Sequence, residues 1–191
     1  MNVAVSYIKP NFSIRSHLQK EMRYVHVYTG DGKGKTTAAL GLVLRAVGAD
    51  WRVLFAQFLK HGEFSEIKAL KKLGDQVTIR QYGSGRFTKG RPSEKEMEMA
   101  RTGLSEIMQV MEDGKYDMIV LDEINVAVHF GLIPLEGVIN LLEKRPQDVE
   151  LVLTGKWAHK EIMARADLIT EARKIKHYFN KGVRAREGIE K

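Results

Sequence analysis

The 191-residue sequence contains no cysteine. This absence excludes disulfide bonds, thiolate metal sites and cysteine nucleophiles, so any bound metal must use oxygen or imidazole ligands. The six histidines are scattered without the i, i+4 spacing of a helical metal-binding pair, and we assign none of them to a metal. We therefore expect a metal site in this protein to be built from oxygen atoms.

The sequence also lacks long hydrophobic runs. Its uninterrupted apolar stretches are far shorter than the roughly 20 residues that a membrane-spanning helix needs, and no basic segment followed by an apolar stretch and a cleavage site opens the chain. Hydrophobic residues make up 43% and charged residues 29% of the sequence, which is a globular balance. We expect a cytoplasmic protein of one main domain, with no membrane partner.

The net charge of +7 is concentrated near the end of the sequence. Between Arg173 and Lys191, seven Lys or Arg residues stand against two glutamates. Such a segment is either a solvated basic face or a nucleic-acid patch, and it would also attract a small anionic ligand. We favour the solvated face and expect no nucleic-acid partner.

Short β-rich runs alternate with helical segments after Met22, and this alternation predicts an α/β fold: a three-layer α/β/α domain, residues 22–191, with a mostly parallel central sheet. Residues 1–21 show no clean hydrophobic period. They are expected to form an N-terminal arm that packs on a partner subunit, or to precede a translation start at Met22. The predicted strands cover residues 24–29, 52–57, 77–82, 118–122, 150–154 and 168–170. Helices are predicted at 35–47, ended by Gly48, and at 64–73, ended by Gly74. Further helices are predicted from a Ser93/Glu96 capping box to about Met111, from Pro134, and after Lys156.

A glycine-rich turn follows the first predicted strand and opens a helix. Glycines let the backbone wrap a phosphate closely, and the helix N-terminus adds a positive partial charge. Lys35 would neutralise phosphate oxygens, and the Thr36 hydroxyl would bind Mg²⁺. The sequence therefore predicts a nucleoside triphosphate site formed by Gly30, Asp31, Gly32, Lys33, Gly34, Lys35, Thr36 and Thr37.

This loop is one residue shorter than the common phosphate-binding loop. Thr29 stands where the first glycine is expected, and counting from Gly30 leaves three residues before the Gly-Lys-Thr instead of four. A shorter loop must hold the polyphosphate differently. The usual geometry for attack on the terminal phosphate is therefore not assumed here.

The apolar run 118–121 delivers two carboxylates, Asp122 and Glu123, at the end of a buried strand. Ligands of open parallel sheets bind at that end, and Mg²⁺ prefers hard oxygen ligands. The pair is thus a candidate partner of Thr36 in a Mg²⁺ site. In a hydrolase the second carboxylate could polarise water, so an ATPase remains an alternative.

Other polar side chains follow neighbouring strands and face the same crevice. Gln57 and Lys60 follow the second strand, and Thr154 and Lys156 follow the fifth. Lys60 and Lys156 are candidate ATP contacts. Arg45, one helix length beyond the loop, is a further candidate, with a surface position as the alternative.

These segments together resemble the P-loop ATP:corrinoid adenosyltransferase family. The resemblance covers residues 23 to 190 and depends on the order and spacing of its fragments. They are Tyr28–Ala39, Arg45-Ala46-Val47-Gly48, Gln57-Phe58-Leu59-Lys60, Val120-Leu121-Asp122-Glu123, Leu132-Ile133-Pro134-Leu135, Leu153-Thr154-Gly155, Ala166–Glu171, Lys176–Val183 and Gly188-Ile189-Glu190.

The resemblance implies transfer of the 5′-deoxyadenosyl group of ATP to Co(I) of a corrinoid, with release of intact triphosphate. Attack then falls on carbon, which gives the short loop a rationale, and in this family the nucleotide lies reversed relative to other P-loop enzymes. Carried over by position, Lys35 and the loop bind triphosphate, Thr36 and Glu123 hold Mg²⁺ with Asp122 as a second candidate, and Lys156 replaces a family arginine.

The resemblance also implies an apolar wedge beneath cobalt that keeps a lower axial ligand away and eases reduction. The family stretch Gly-Phe-Thr-Trp corresponds here to Gly85-Arg86-Phe87-Thr88-Lys89, so Phe87 is retained and the tryptophan is not. A reduced flavodoxin-type electron donor and a homodimer are expected as partners. The sequence leaves open which corrinoid is preferred, and a nucleic-acid-dependent ATPase and a non-catalytic ATP-sensing module stay as alternatives.

Overall fold

The computed structural model of this protein describes residues 22–85 and 92–191. The predicted arm, residues 1–21, and the predicted corrinoid contact Phe87 lie outside the described residues.

The core of the fold is a six-stranded sheet in which every pairing is parallel. The spatial order is β3-β2-β4-β5-β1-β6, so the first and fourth strands are separated by β5. The central strands β2 and β4 are buried along their whole length because helices cover both faces. The predicted α/β fold is confirmed. The strands are β1 (Val25–Thr29), β2 (Val53–Phe58), β3 (Val77–Tyr82), β4 (Met118–Asp122), β5 (Glu150–Thr154) and β6 (Leu168–Glu171).

Six α-helices form the two outer layers of the described part of the chain. Successive strand residues point to opposite faces, so that in β2 Phe55 packs with α1 and α2 while Leu54 packs with the other helices. The strand ends that carry the polar side chains are thereby held between two apolar cores. The helices are α1 (Lys35–Gly48), α2 (Ser65–Lys71), α3 (Glu94–Glu112), α4 (Ile124–His129), α5 (Leu135–Lys144) and α6 (Lys160–Met163), with short 3₁₀ turns at Gly74–Gln76 and Tyr178–Lys181.

The predicted start of α1 and the predicted cap of α3 are confirmed, whereas one end of each of α1, α2 and α5 differs from the sequence prediction; α2 ends at Lys71, before the predicted end at residue 73. The capping box of α3 is confirmed, since Ser93 and Glu96 bond reciprocally. Gly48 does not end α1: the helix includes it, and Asp50 takes the left-handed conformation instead, with φ of 60°. Pro134 is the N-cap of α5 and not a residue of its first turn. The helix α4 was not predicted, because Ile124–His129 is a short apolar run without helical periodicity.

Candidate active site

The glycine loop lies at the carboxyl end of β1 and leads directly into α1. Gly34 is the N-cap of α1, and its φ of 114° is a conformation that glycine adopts without strain. A Cβ atom on Gly30 would lie 2.4 Å from the carbonyl oxygen of Ala172, just beyond β6. The backbone N–H of Gly32 donates to that same oxygen at 2.6 Å. The segment after β6 therefore fixes the loop, and only glycines allow the approach.

Lys35 and Thr36 begin α1, whose N-terminus carries no side-chain cap. The Lys35 ammonium donates to the carbonyl of Gly32 at 2.6 Å and thus folds back over its own loop. Burial lowers the pKa of Lys35, because desolvation disfavours its charged form. The Thr36 hydroxyl donates to the Asp122 carboxylate at 2.8 Å and so joins the loop to the end of β4.

Asp122 is fully buried, and its carboxylate accepts hydrogen bonds from side chains that lie at the ends of several strands. One carboxylate oxygen accepts from Thr36 and, at 2.7 Å, from the Thr154 hydroxyl. The other accepts from the Gln57 amide at 3.0 Å and from the Lys60 ammonium at 3.4 Å. The structure therefore brings together the polar residues that the sequence placed after β2, β4 and β5. Because four side chains donate hydrogen bonds to Asp122, this buried carboxylate holds the polar side chains of the neighbouring strand ends in place.

Glu123 differs from its neighbour in backbone and in partners. It has φ of 62° and ψ of 17°, a left-handed conformation, as the N-cap of α4, and its N–H donates to the Thr154 hydroxyl at 3.0 Å. Burial and the adjacent Asp122 charge raise the pKa of Glu123. Within the described chain no side chain donates a hydrogen bond to its carboxylate, so its oxygens are available to a ligand or ion.

Two lysines add positive charge around this acidic pair. Burial alone would lower the pKa of Lys60, but the carboxylates of Asp122 and Glu123 raise it above its ordinary value. Lys156 follows β5 after Gly155, and its charge contributes to the pKa values of Lys35 and Glu123, which places it within electrostatic reach of the loop. Three lysines, Lys35, Lys60 and Lys156, thus lie at the carboxyl end of the parallel strands.

The remaining candidates from the sequence have different surroundings. Arg45 is exposed in the last turn of α1, about 15 Å along the helix axis from its start, and is not brought to the loop. Asp31 accepts a hydrogen bond from the backbone N–H of Lys174, which lowers the pKa of its carboxyl group. The ammonium of Lys33 donates to the carbonyl of Ile189 at 2.7 Å and so joins the loop to the far end of the sequence.

An open cleft of about 530 Å³ lies beside the loop. This volume is in the range of sites for ligands of nucleotide size. One side is formed by loop and α1 residues from Lys33 to Thr37, with Lys60 and Glu123 at the sheet edge. The other side is formed by α2 and by residues 188–191. The cleft therefore combines the predicted loop and acidic residues with a segment from the far end of the sequence.

Two groups near the carboxyl end of the sheet were not predicted from the sequence as site residues. Residues 188–191 are some 150 positions from the loop, and only their match to the Gly-Ile-Glu fragment of the family marks them. The second group is aromatic: Trp157 is 51% exposed, has φ of 58° and stacks on His129 with ring centroids 4.5 Å apart. Phe130 meets the same Trp157 ring edge-on at 5.6 Å. No sequence period links these three rings.

Comparison with known proteins identifies the family. The family model of ATP:corrinoid adenosyltransferase BtuR/CobO/CobP matches residues 21–190. The chain belongs to the ATP:corrinoid adenosyltransferase family. Similarity to curated corrinoid adenosyltransferases extends over most of each protein: 35% identity to that of Escherichia coli K12 and 37% to that of Salmonella typhimurium LT2, each over 90% of this chain and 87% of the relative, and 30% to that of Pseudomonas aeruginosa, over 86% and 81%.

The family resemblance inferred from the motifs is thereby confirmed, and with it a transferase that acts on corrinoids. ATP and a corrinoid fit this family as substrates. Among the helices of residues 22–85 and 92–191, none combines the length and apolarity of a membrane span.

Proposed function

We propose that this chain transfers the 5′-deoxyadenosyl group of ATP to the Co(I) ion of a corrinoid and releases triphosphate. The observation that carries the proposal is the family match over residues 21–190, which includes the whole shortened loop and the acidic pair. In the reaction, the cobalt electron pair forms a bond to C5′ and the C5′–O bond breaks. The electrons of that bond leave with the triphosphate oxygen, so electrons and atoms balance.

Because Co(I) is itself the nucleophile, no side chain has to remove a proton. The protein contributes orientation and the stabilisation of charge on the leaving group. Lys35 and the first N–H groups of α1 are suited to hold the triphosphate, and Lys60 and Lys156 add positive charge at the same edge. Lys156 supplies the charge of the family arginine without its bidentate fork.

The oxygen-rich donor set of this edge fits Mg²⁺. Nowhere in the described part of the chain do three or more His, Asp or Glu side chains converge as a complete metal site, so phosphate and water oxygens would have to complete the shell. We assign Glu123 and the Thr36 hydroxyl as the protein ligands, with Asp122 holding Thr36 in place. Once bound, Mg²⁺ would neutralise part of the charge on the departing triphosphate.

We further propose that Phe87 lies beneath the corrinoid. Support comes from the path of the chain after β3. A Cβ on Gly83 would lie 2.4 Å from the backbone of Leu59, and one on Gly85 would lie 3.0 Å from the carbonyl of His61. Residues 83–85, which precede the stretch that carries Phe87 in the sequence, therefore leave the sheet beside the loop that carries Lys60. A homodimer in the cytoplasm, an arm of residues 1–21 that reaches the partner, and a reduced flavodoxin-type donor complete the proposal.

The identity of the phosphate product tests this function. The purified protein is incubated anaerobically with Mg²⁺, ATP and chemically reduced cob(I)alamin, and phosphorus NMR follows the products. We expect intact triphosphate, formed only with the reduced corrinoid, and its loss in Lys35→Ala. Orthophosphate that appears without corrinoid and rises with DNA or RNA would instead establish the ATPase alternative. ATP binding without any product would establish the sensing module.

A further inference from the structure

The segment 186–191, which we call the strap, closes one side of the cleft. On the loop side, the ammonium of Lys33 donates to the carbonyl of Ile189 at 2.7 Å and lies 3.6 Å from the Glu190 carboxylate. On the α2 side, the Ser65 hydroxyl donates to the Lys191 carbonyl at 2.8 Å and accepts from the Gly188 N–H at 3.3 Å. The strap therefore bridges the phosphate-binding loop and the beginning of α2.

The strap is braced by its own side chains. Glu190 accepts from the backbone N–H of Arg186 at 2.9 Å and from its guanidinium at 3.2 Å, and it also accepts from the Tyr178 hydroxyl. These hydrogen bonds lower the pKa of Glu190 to about 2, so the carboxylate is charged at neutral pH. Glu190 would keep these partners if Lys33 turned to a ligand, and the strap would stay in place.

The two sides of the cleft differ in charge. The loop side presents Lys33, Lys35, Lys60 and the uncapped N-terminus of α1, which attract phosphate, against the single carboxylate of Glu123. The opposite side, formed by α2 and the strap, presents the carboxylates of Glu66 and Glu190, one ammonium from Lys191 and the aliphatic side chain of Ile189, so it is the less attractive side for phosphate. A triphosphate is therefore held on the loop side. The uncharged nucleoside part of the same ligand is left to the side of the strap.

We propose that the strap is the nucleoside-binding wall of this cleft and that Ile189 packs against the adenosine of ATP. This rests on the proposed function only in taking ATP as the substrate. Residue Ile189 is 53% exposed beside the loop, so it has apolar surface to bury against a ligand. The strap would thus make the site select a nucleotide over a free polyphosphate of similar charge.

Binding of two ligands separates this proposal from its alternatives. Calorimetry with Mg²⁺ compares ATP and inorganic tripolyphosphate on the full chain and on Ile189→Ser. We expect Ile189→Ser to lower the affinity for ATP by about tenfold, which is the loss expected for one aliphatic contact. The affinity for tripolyphosphate should stay within about twofold of that of the unmodified chain. Ile175→Ser is the matched control, because Ile175 is 88% exposed and does not line the cleft; it should change neither ligand.

A second variant guards against a folding effect. Ser65→Ala removes the hydroxyl that bonds the strap to α2. Like Ile189→Ser, it should lower the affinity for ATP more than the affinity for tripolyphosphate. Equal loss of both ligands in Ile189→Ser, or ATP affinity unchanged in both variants, would overturn the proposal. Lys35→Ala reports on the site itself, since it should weaken both ligands. None of these measurements involves cobalt. A chain that failed to adenosylate a corrinoid could therefore still show the predicted ATP binding, so failure of the proposed function and failure of this proposal are distinguishable.

Discussion

Glu123 carries two unfavourable features at one residue: a left-handed backbone and a buried carboxylate beside another carboxylate. Non-glycine residues in the left-handed region cost about 1–3 kcal/mol and persist where the surrounding structure enforces them, often at functional sites. Here the enforcing contact is the hydrogen bond from its N–H to Thr154. A bound cation would compensate the electrostatic cost, which is consistent with the ligand role that we propose for this side chain.

The raised pKa of Glu123 makes a testable statement about stability without metal. Its ordinary value is 4.5, and the folded value is higher. Between these two values the folded state binds more protons than the unfolded state, so the free energy of unfolding falls as pH rises. Glu123→Gln removes this dependence and should gain stability over the wild type across that window. Urea denaturation at a series of pH values, with chelator present, measures the difference; parallel profiles would contradict the assignment.

Thr36 offers a sharp substitution pair. Thr36→Ala removes the hydroxyl that joins the loop to Asp122 and that we assign to Mg²⁺, whereas Thr36→Ser retains it. We expect adenosylation to fall by about 100-fold or more in the alanine variant, the scale of losing one preorganised electrostatic contact, and to stay within about tenfold in the serine variant. A titration of activity with Mg²⁺ completes the test. Full turnover in folded Thr36→Ala would remove Thr36 from the site.

At the scale of elements, the connection between β3 and α3 carries the one residue whose proposed role is specific to corrinoids. If the Phe87 ring fills the space beneath cobalt, Phe87→Ala lets an axial ligand return and makes Co(II) harder to reduce. Turnover driven by reduced flavodoxin should then collapse, while turnover from chemically pre-reduced Co(I) should fall much less. A core role for Phe87 predicts instead an equal loss in both assays together with lower stability.

The elements that the sequence predicted well are those defined by local pattern. The bounds of β3, β4 and β5 agree with their apolar runs, and the α3 capping box agrees because both partners are three residues apart. Local pattern failed for α4, which is buried and therefore shows no amphipathic period. It also failed for Gly48: the helix includes this residue, the left-handed turn lies at Asp50, and the Trp51 N–H donates to the Ala46 carbonyl after it.

In the candidate site, too, the features that form a local motif were predicted and those that depend on distant contacts were not. The loop and the acidic pair were visible as motifs, and the parallel topology explains why Gln57 and Thr154 converge on Asp122. The strap and the stacking of Trp157 on His129 depend on contacts between distant parts of the chain, which no local pattern records. Arg45 lies exposed in the last turn of α1, which agrees with the surface position that the sequence left open as the alternative, and its contact with ATP stays a prediction.

An outermost strand of the sheet, β6, offers a surface for the proposed dimer. The edge strand β6 is exposed along its length, including the apolar Leu168 and Ile169. Deleting residues 1–21 should lower corrinoid adenosylation by about tenfold or more while ATP affinity stays nearly unchanged, because an arm from a partner would cover the site without forming the loop. Sedimentation tests the assembly. A monomer at high protein concentration, or adenosylation unaffected by the deletion, would contradict the shared site.

The fate of the C5′ carbon of ATP distinguishes adenosyl transfer to cobalt from cleavage at phosphorus. ATP labelled with carbon-13 at C5′ is supplied anaerobically with Mg²⁺ and cob(I)alamin, and carbon NMR locates the label after one turnover. We expect the label to be bonded to cobalt in a light-sensitive product, in amounts equal to the triphosphate released. Label that remains bonded to a phosphate oxygen, in ADP or in unreacted ATP, would rule out transfer of the adenosyl group.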